Sequence, residues 1–151
     1  MSKSPGKNPV STPLGVIGGS GAYDLLTNGA LGENIETITL ETPFGKSAPI
    51  HHFRAGNLEY LFLSRHGEND YSITAPFVNY RANIYALKEC GVERIISWSG
   101  PGIINPSFKP GEYVLPNDII DETKNRETTF FKNRGLGFIR QDRPFCPQIQ
   151  Q

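Results

Sequence analysis

The chain has 151 residues, 37% of them apolar, with 16 glycines and 12 prolines, which bounds it to one loop-rich globular domain of α/β or β type and argues against a helical bundle. Fifteen basic and fifteen acidic residues cancel, which removes the electrostatic case for a nucleic-acid or anionic-membrane partner. No apolar run approaches the ~20 residues of a membrane span, and the N-terminus lacks the apolar core of a secretory signal.

Residues 1–13 carry Pro5, Pro9 and Pro13 among Ser, Lys and Asn and read as a disordered leader. Leu14-Gly15-Val16-Ile17 is a short apolar run that stops at Gly18-Gly19-Ser20-Gly21, the pattern of a buried strand and a glycine loop. Tyr23-Asp24-Leu25-Leu26 reads as a helical turn. Ile35 to Leu40 is read as alternating apolar with polar residues, the period-2 sign of a half-buried strand, and Thr42-Pro43-Phe44-Gly45 has turn chemistry. Ile50–Ala55 and Leu58–Leu63 flank Gly56-Asn57 and predict a tight hairpin.

A charged loop from Ser64 to Ala75 follows. Pro76 is then expected to open a helix from Phe77 to Cys90, with Phe77, Tyr80, Ile84 and Leu87 on its buried face and Gly91 as its stop. Arg94-Ile95-Ile96-Ser97-Trp98 is the next strand, ending at Ser99-Gly100-Pro101-Gly102. Strand, helix and strand in succession imply a crossover and a largely parallel sheet. Tyr113-Val114-Leu115-Pro116 is expected to form another strand, residues 122–143 a surface excursion, and Pro147 to Gln151 the first turn of a helix cut short.

The chemistry-bearing residues gather at strand ends. Gly18-Gly19-Ser20-Gly21 and Ser99-Gly100-Pro101-Gly102 offer backbone N–H groups and hydroxyls that suit an anion, and ligands of open α/β sheets bind beyond the carboxyl ends of strands. The first loop is neither a dinucleotide fingerprint, since the third glycine is replaced by Asp24, nor a P-loop. Either loop alone reads as turn glycine. Arg65-His66-Gly67 directly follows an apolar strand, and an arginine fork beside an imidazole suits phosphate or carboxylate. Together, Ser20, Arg65, His66 and Ser99, with the backbone N–H groups of the loops, point to an oxyanion site.

Other residues take plainer readings. His51 and His52 alternate across a strand, so one is expected to face solvent, and adjacent strand histidines do not converge on one metal. Cys90 reads as packed core, and Cys90 and Cys146 as reduced thiols of a cytosolic protein. Trp98 reads as core. Tyr71 is a loop tyrosine that could cover a ligand. Asp24, Glu68 and Asp70 are loop carboxylates that could orient a sugar hydroxyl or His66.

These motifs, in this order, resemble the methylthioadenosine/purine nucleoside phosphorylase family, the trimeric nucleoside phosphorylases. The matching stretches are Ile17-Gly18-Gly19-Ser20-Gly21-x-Tyr23-Asp24, Thr42-Pro43-Phe44-Gly45-Lys46, Arg65-His66-Gly67, Val78 to Ile84, Ala86-Leu87-Lys88, Pro110-Gly111-Glu112, Ile120-Asp121, Arg126 with Thr129-Phe130-Phe131, and Pro144-Phe145-Cys146-Pro147. They span residues 14–147. The resemblance implies an α/β fold, a single-domain mixed central sheet flanked by helices, occupying residues 14–151. It implies phosphorolysis of a purine nucleoside or its 5′-methylthio analogue to free base and (methylthio)ribose-1-phosphate, in purine or methionine salvage. It also implies inorganic phosphate as co-substrate, no other cofactor and no metal, and a homotrimer in the full-length protein, and the reduced cysteines suit a cytoplasmic location. Carried over by position, the phosphate-binding residues are Ser20, Arg65, His66, Ser99 and Gly100.

Three departures stand out. The family often continues Arg-His-Gly-x-x-His, where position 70 here is Asp. The loop after the last strand is Ser97-Trp98-Ser99-Gly100-Pro101-Gly102 rather than the family's Thr-x-Ala-x-Gly-Ser type. Family members also extend well past this length, so the chain reads as an N-terminal half, expected to be inactive alone because purine recognition belongs to the later half. The rival readings are a non-catalytic anion-binding or oligomerisation remnant of that family, and a nucleoside hydrolase.

Overall fold

The computed structural model describes residues 12–68, 72–127, 129–133, 135 and 143–150. The chain divides after Gly100 into two compact units. The first is built on a five-stranded sheet. Its elements in chain order are β1 (Leu14–Gly18), α1 (Ala22–Thr27), β2 (Glu33–Ile38), β3 (Glu41–Thr42), β4 (Gly45–Lys46), β5 (Ile50–Ala55), β6 (Leu58–Ser64), α2 (Tyr80–Glu89) and β7 (Arg94–Trp98). The sheet order is β2-β5-β6-β1-β7. The hairpin across Gly56-Asn57 forms as expected and is antiparallel, as is β2 with β5, whereas β1 is parallel to both neighbours, β6 and β7. The fold is therefore α/β with a mixed sheet and few helices, the parallel pairings confined to the β6-β1-β7 side.

Each face of the sheet carries a core. On one, Ile50, Leu61 and Leu63 meet Ala86, Leu87 and Cys90 of α2 and its cap. On the other, Phe53, Tyr60 and Phe62 pack against Ala22 of α1. Each fully buried leucine, isoleucine or phenylalanine among them contributes about 1.5–3 kcal/mol. Burial also pushes the Cys90 thiol up, so it is a poor nucleophile, in keeping with a packing role.

Several elements differ from expectation. Thr12, expected within the leader, is buried and donates its hydroxyl to the Glu59 carbonyl at 3.0 Å; residues 1–11 lie outside the described residues. In β2 the register against β5 shifts between Asn34 and Glu36. Ile35 is the extra residue of that bulge, which explains why it is exposed while Ile38 packs on the core. The helix expected from Phe77 is interrupted. A 3-10 turn covers Ala75–Phe77, Val78 is extended, and α2 starts only after Asn79. Phe77 is 80% exposed, and of the four residues assigned to the buried face only Leu87 is fully buried. The inward face is instead Ala82, Asn83, Ala86 and Leu87, whose small alanines let the helix sit close to the sheet. Asn83 is buried because its side-chain oxygen accepts the Ala48 N–H at 2.8 Å.

Asn79 caps α2 by accepting the Ala82 N–H at 3.2 Å, and its amide donates to the Phe44 carbonyl at 2.8 Å, tying down the β3–β4 turn. Arg81 lies 5.1 Å from the Phe44 ring centroid on the same turn. Asn79→Ala is expected to cost about 1–2 kcal/mol of unfolding free energy in urea titration, and Asn79→Ser, which keeps the cap, less than half of that. At the other end, the Gly91 N–H reaches the Lys88 carbonyl at 2.9 Å and the Val92 N–H the Leu87 carbonyl at 3.1 Å. This paired closure needs the left-handed φ of 79° at Gly91, the glycine expected to stop the helix.

The second unit contains no helix or strand among its described residues. It is a series of hydrogen-bonded turns at Asn105–Phe108, Lys109–Glu112 and Cys146–Ile149, with the Gln150 side chain donating to the Pro116 carbonyl at 2.6 Å. The strand expected at Tyr113–Pro116 does not form: Tyr113, Val114 and Leu115 are exposed and have no ladder partner among the described residues. No helix among the described residues is long and apolar enough to cross a membrane.

Candidate anion site at the β6-β1-β7 edge

The parallel strands β6, β1 and β7 are neighbours, and Gly18 is in register with both Ser64 and Trp98. All three therefore end at one level on one sheet edge. The segments Gly19-Ser20, Arg65-His66 and Ser99-Gly100 emerge there side by side, within the ~10 Å that two inter-strand spacings allow. Backbone bonds lock the arrangement: the Arg65 N–H donates to the Gly18 carbonyl at 3.0 Å and the Gly19 N–H to the Trp98 carbonyl at 2.7 Å. A side chain at Gly19 would lie 2.9 Å from both the Trp98 carbonyl and the Ser99 Cβ, so glycine is what lets these two loops approach. Gly19→Ala is expected to lower the unfolding midpoint and spread the β1 and β7 loops, seen as amide shift changes at Ser20 and Ser99.

All five residues singled out from sequence, Ser20, Arg65, His66, Ser99 and Gly100, thus lie on this edge. Ser20 and Arg65 are half-buried, Ser99 and Gly100 exposed, and His66 buried. The Arg65 Nε donates to His66 Nε2 at 3.0 Å, and His66 Nδ1 lies 2.9 Å from the Ile73 carbonyl. A carbonyl only accepts, so Nδ1 carries the proton and Nε2 offers the lone pair. His66 therefore accepts from the guanidinium through that lone pair and holds it on the Nε side. Among the described residues no carboxylate is ion-paired with Arg65. The loop itself is pinned by the Ser64 hydroxyl donating to the Gly67 carbonyl at 2.6 Å and by the Ile73 N–H donating to the His66 carbonyl at 3.0 Å.

The two adjacent histidines were expected to leave one in solvent, yet both are buried. The reason is that β5 is an internal strand with both faces covered. His51 bonds Glu68 through Nε2, and His52 bonds Glu59 through Nε2 at 3.0 Å. They point to different partners, and no group of three or more metal-ligating side chains forms among the described residues. Glu59 also pairs with Arg54 at 2.7 Å, which holds its carboxyl below the usual range. Glu68 thus engages His51. Asp24 is exposed on α1, Trp98 packs beside the Phe62 cluster, and Asp70 and Tyr71 lie outside the described residues. The His51–Glu68 contact was not visible in sequence, because nothing local marks two residues on different elements as partners.

The family model described as "Phosphorylase superfamily" matches residues 13–151. The chain belongs to the phosphorylase superfamily. It is 37% identical over 139 residues to the S-methyl-5'-thioadenosine phosphorylase of Thermococcus kodakarensis, covering 91% of this chain and 51% of that protein. It is 39% identical over 145 residues to the probable 6-oxopurine nucleoside phosphorylase of Moorella thermoacetica, covering 91% and 52%. Among solved structures, the methylthioadenosine phosphorylase of Schistosoma mansoni in complex with tubercidin superposes with a TM-score of 0.80 at 31% identity, covering 92% of this chain and 49% of that one. The chain spans about half the length of these relatives.

Proposed function

We propose that the β6-β1-β7 edge binds inorganic phosphate, and that the protein cleaves a purine nucleoside or 5′-methylthiopurine nucleoside by phosphorolysis. The observation carrying this reading is the common register of the three strand ends, which brings a guanidinium free of carboxylate partners among the described residues together with two serines and a glycine N–H. The relatives named as methylthioadenosine and 6-oxopurine nucleoside phosphorylases support it.

The chemistry suits this set. Cleavage of the glycosidic bond builds positive charge on the sugar, and a fixed phosphate dianion both stabilises that charge and attacks C1′. Arg65 would neutralise and orient the phosphate, and Ser20, Ser99 and the Gly100 N–H would donate to its remaining oxygens. The bond from C1′ to the purine nitrogen breaks as the bond to a phosphate oxygen forms, and the base leaves with the bonding pair and takes up a proton.

The 151-residue chain spans about half of its relatives, so we propose that it holds phosphate while turning over little nucleoside by itself. Titration calorimetry with inorganic phosphate, run beside a base-release assay on methylthioadenosine and inosine, tests both parts. Phosphate binding without base release is the expected result. No heat with phosphate overturns the site, and phosphate-independent release points to hydrolysis instead.

A further inference from the structure

We infer that His51 is a positioning residue for the Arg65–Glu68 segment, acting through Glu68. This rests on the phosphate reading of the edge. β5 runs antiparallel to β6, so its first residues lie beside the end of β6, with His51 opposite Phe62. From there the buried His51 ring reaches the segment that carries Arg65 and His66. Its proton placement follows from its partners. The Asn34 amide nitrogen, which only donates, lies 3.2 Å from His51 Nδ1, and the Thr37 hydroxyl lies 2.9 Å from the same atom. Nδ1 is therefore the acceptor, and Nε2 carries the hydrogen given to the Glu68 carboxylate.

The result is a polar chain from β2, through a histidine on β5, to a carboxylate three residues beyond Arg65. Asn34, Thr37 and His51 sit on rigid strands, so the ring orientation is set before the loop closes on it. The loop is already held at its base, by Ser64 to Gly67 and by the His66–Ile73 pair. Glu68 is its attachment to the β2-β5 side of the sheet. Without it, the segment keeps its Arg65 N–H bond to Gly18 of β1 and its own internal bonds but loses its tie to β5, and the guanidinium samples a wider range of directions. An arginine fork gains most from two parallel bonds, which makes it sensitive to such angular freedom.

The test uses the 151-residue chain and three variants. His51→Leu removes the donor, and Glu68→Gln weakens the acceptor at a half-exposed position that the fold tolerates. His51→Gln keeps an N–H at nearly the reach of Nε2. Hydrogen exchange of the Arg65–Glu68 amides and the dissociation constant for inorganic phosphate are the readouts. His51→Leu and Glu68→Gln are expected to speed exchange in that segment, with the β1, β6 and β7 amides unchanged. They are expected to weaken phosphate binding about three- to tenfold, with His51→Gln recovering most of the loss. A lowered melting temperature with unchanged segment exchange and unchanged phosphate affinity overturns the inference and leaves His51 a packing residue. Faster segment exchange in a chain that takes up no phosphate, variant or parent, retains the positioning role and overturns the phosphate reading instead.

Discussion

Arg65→Ala is expected to weaken inorganic phosphate binding by about 10- to 150-fold, the equivalent of the roughly 1.5–3 kcal/mol that a charge-assisted hydrogen bond contributes. The expectation follows from the local geometry. Arg65 is half-buried at the end of β6, its Nε is held by His66 at 3.0 Å, and no carboxylate among the described residues neutralises it. An external anion therefore meets a fork that is already oriented. Arg65→Lys separates charge from shape: it keeps the cation but loses both the fork and the bond to His66, so it should fall between the parent and the alanine variant. Calorimetric titration at two ionic strengths checks this, and an unchanged affinity in the alanine variant would remove the phosphate site from this edge.

Phe62→Ala is expected to cost about 3–5 kcal/mol of unfolding free energy, against a total of about 5–15 kcal/mol for a typical domain. Phe62 is 1% exposed on the central strand β6, and its ring meets Phe53 edge-on at 6.2 Å between centroids. It also lies beneath the β1 loop: a Cβ added at Gly18 would come within 2.9 Å of its ring. Truncation opens a cavity under the strand end that delivers Gly19 and Ser20, so phosphate affinity should fall along with stability. Phe62→Leu retains much of the volume and should cost less than half as much. Urea unfolding followed by circular dichroism measures both, and a loss below about 1 kcal/mol would show that the core relaxes around the hole.

What was legible in the sequence was local. Gly56-Asn57 between two β-rich runs specifies its hairpin, and Gly91 specifies the end of α2, because each depends on a few adjacent residues. α2 starts later than Pro76 predicts, because the structure uses the helix-opening signal of that proline for an isolated 3-10 turn, while Asn79 supplies the working cap. Tyr113 to Leu115 has strand composition, but a strand exists only through a partner, and pairing is not encoded in four residues. The burial of both His51 and His52 likewise depends on the flanking strands and on partners such as Asn34, Thr37, Glu59 and Glu68, which is long-range information. The candidate site residues could be named from sequence because each follows an apolar run. Their shared level could not, since it rests on the pairing of Gly18 with Ser64 and Trp98.

The position of β1 has a consequence for the order of assembly. It is the earliest strand of the sheet to leave the ribosome, yet Leu14 pairs with Arg94 on one side and Gly15 with Leu61 on the other. The β5–β6 hairpin closes over two residues and gains β2 soon after, so a three-stranded antiparallel unit is available early. β1 must wait for β6 before it has one neighbour, and for α2 to be crossed before it has the second. The β6-β1-β7 edge, which needs all three parallel strands, is thus the last part of the sheet to be completed, and it matures only when the chain has been made as far as Gly100.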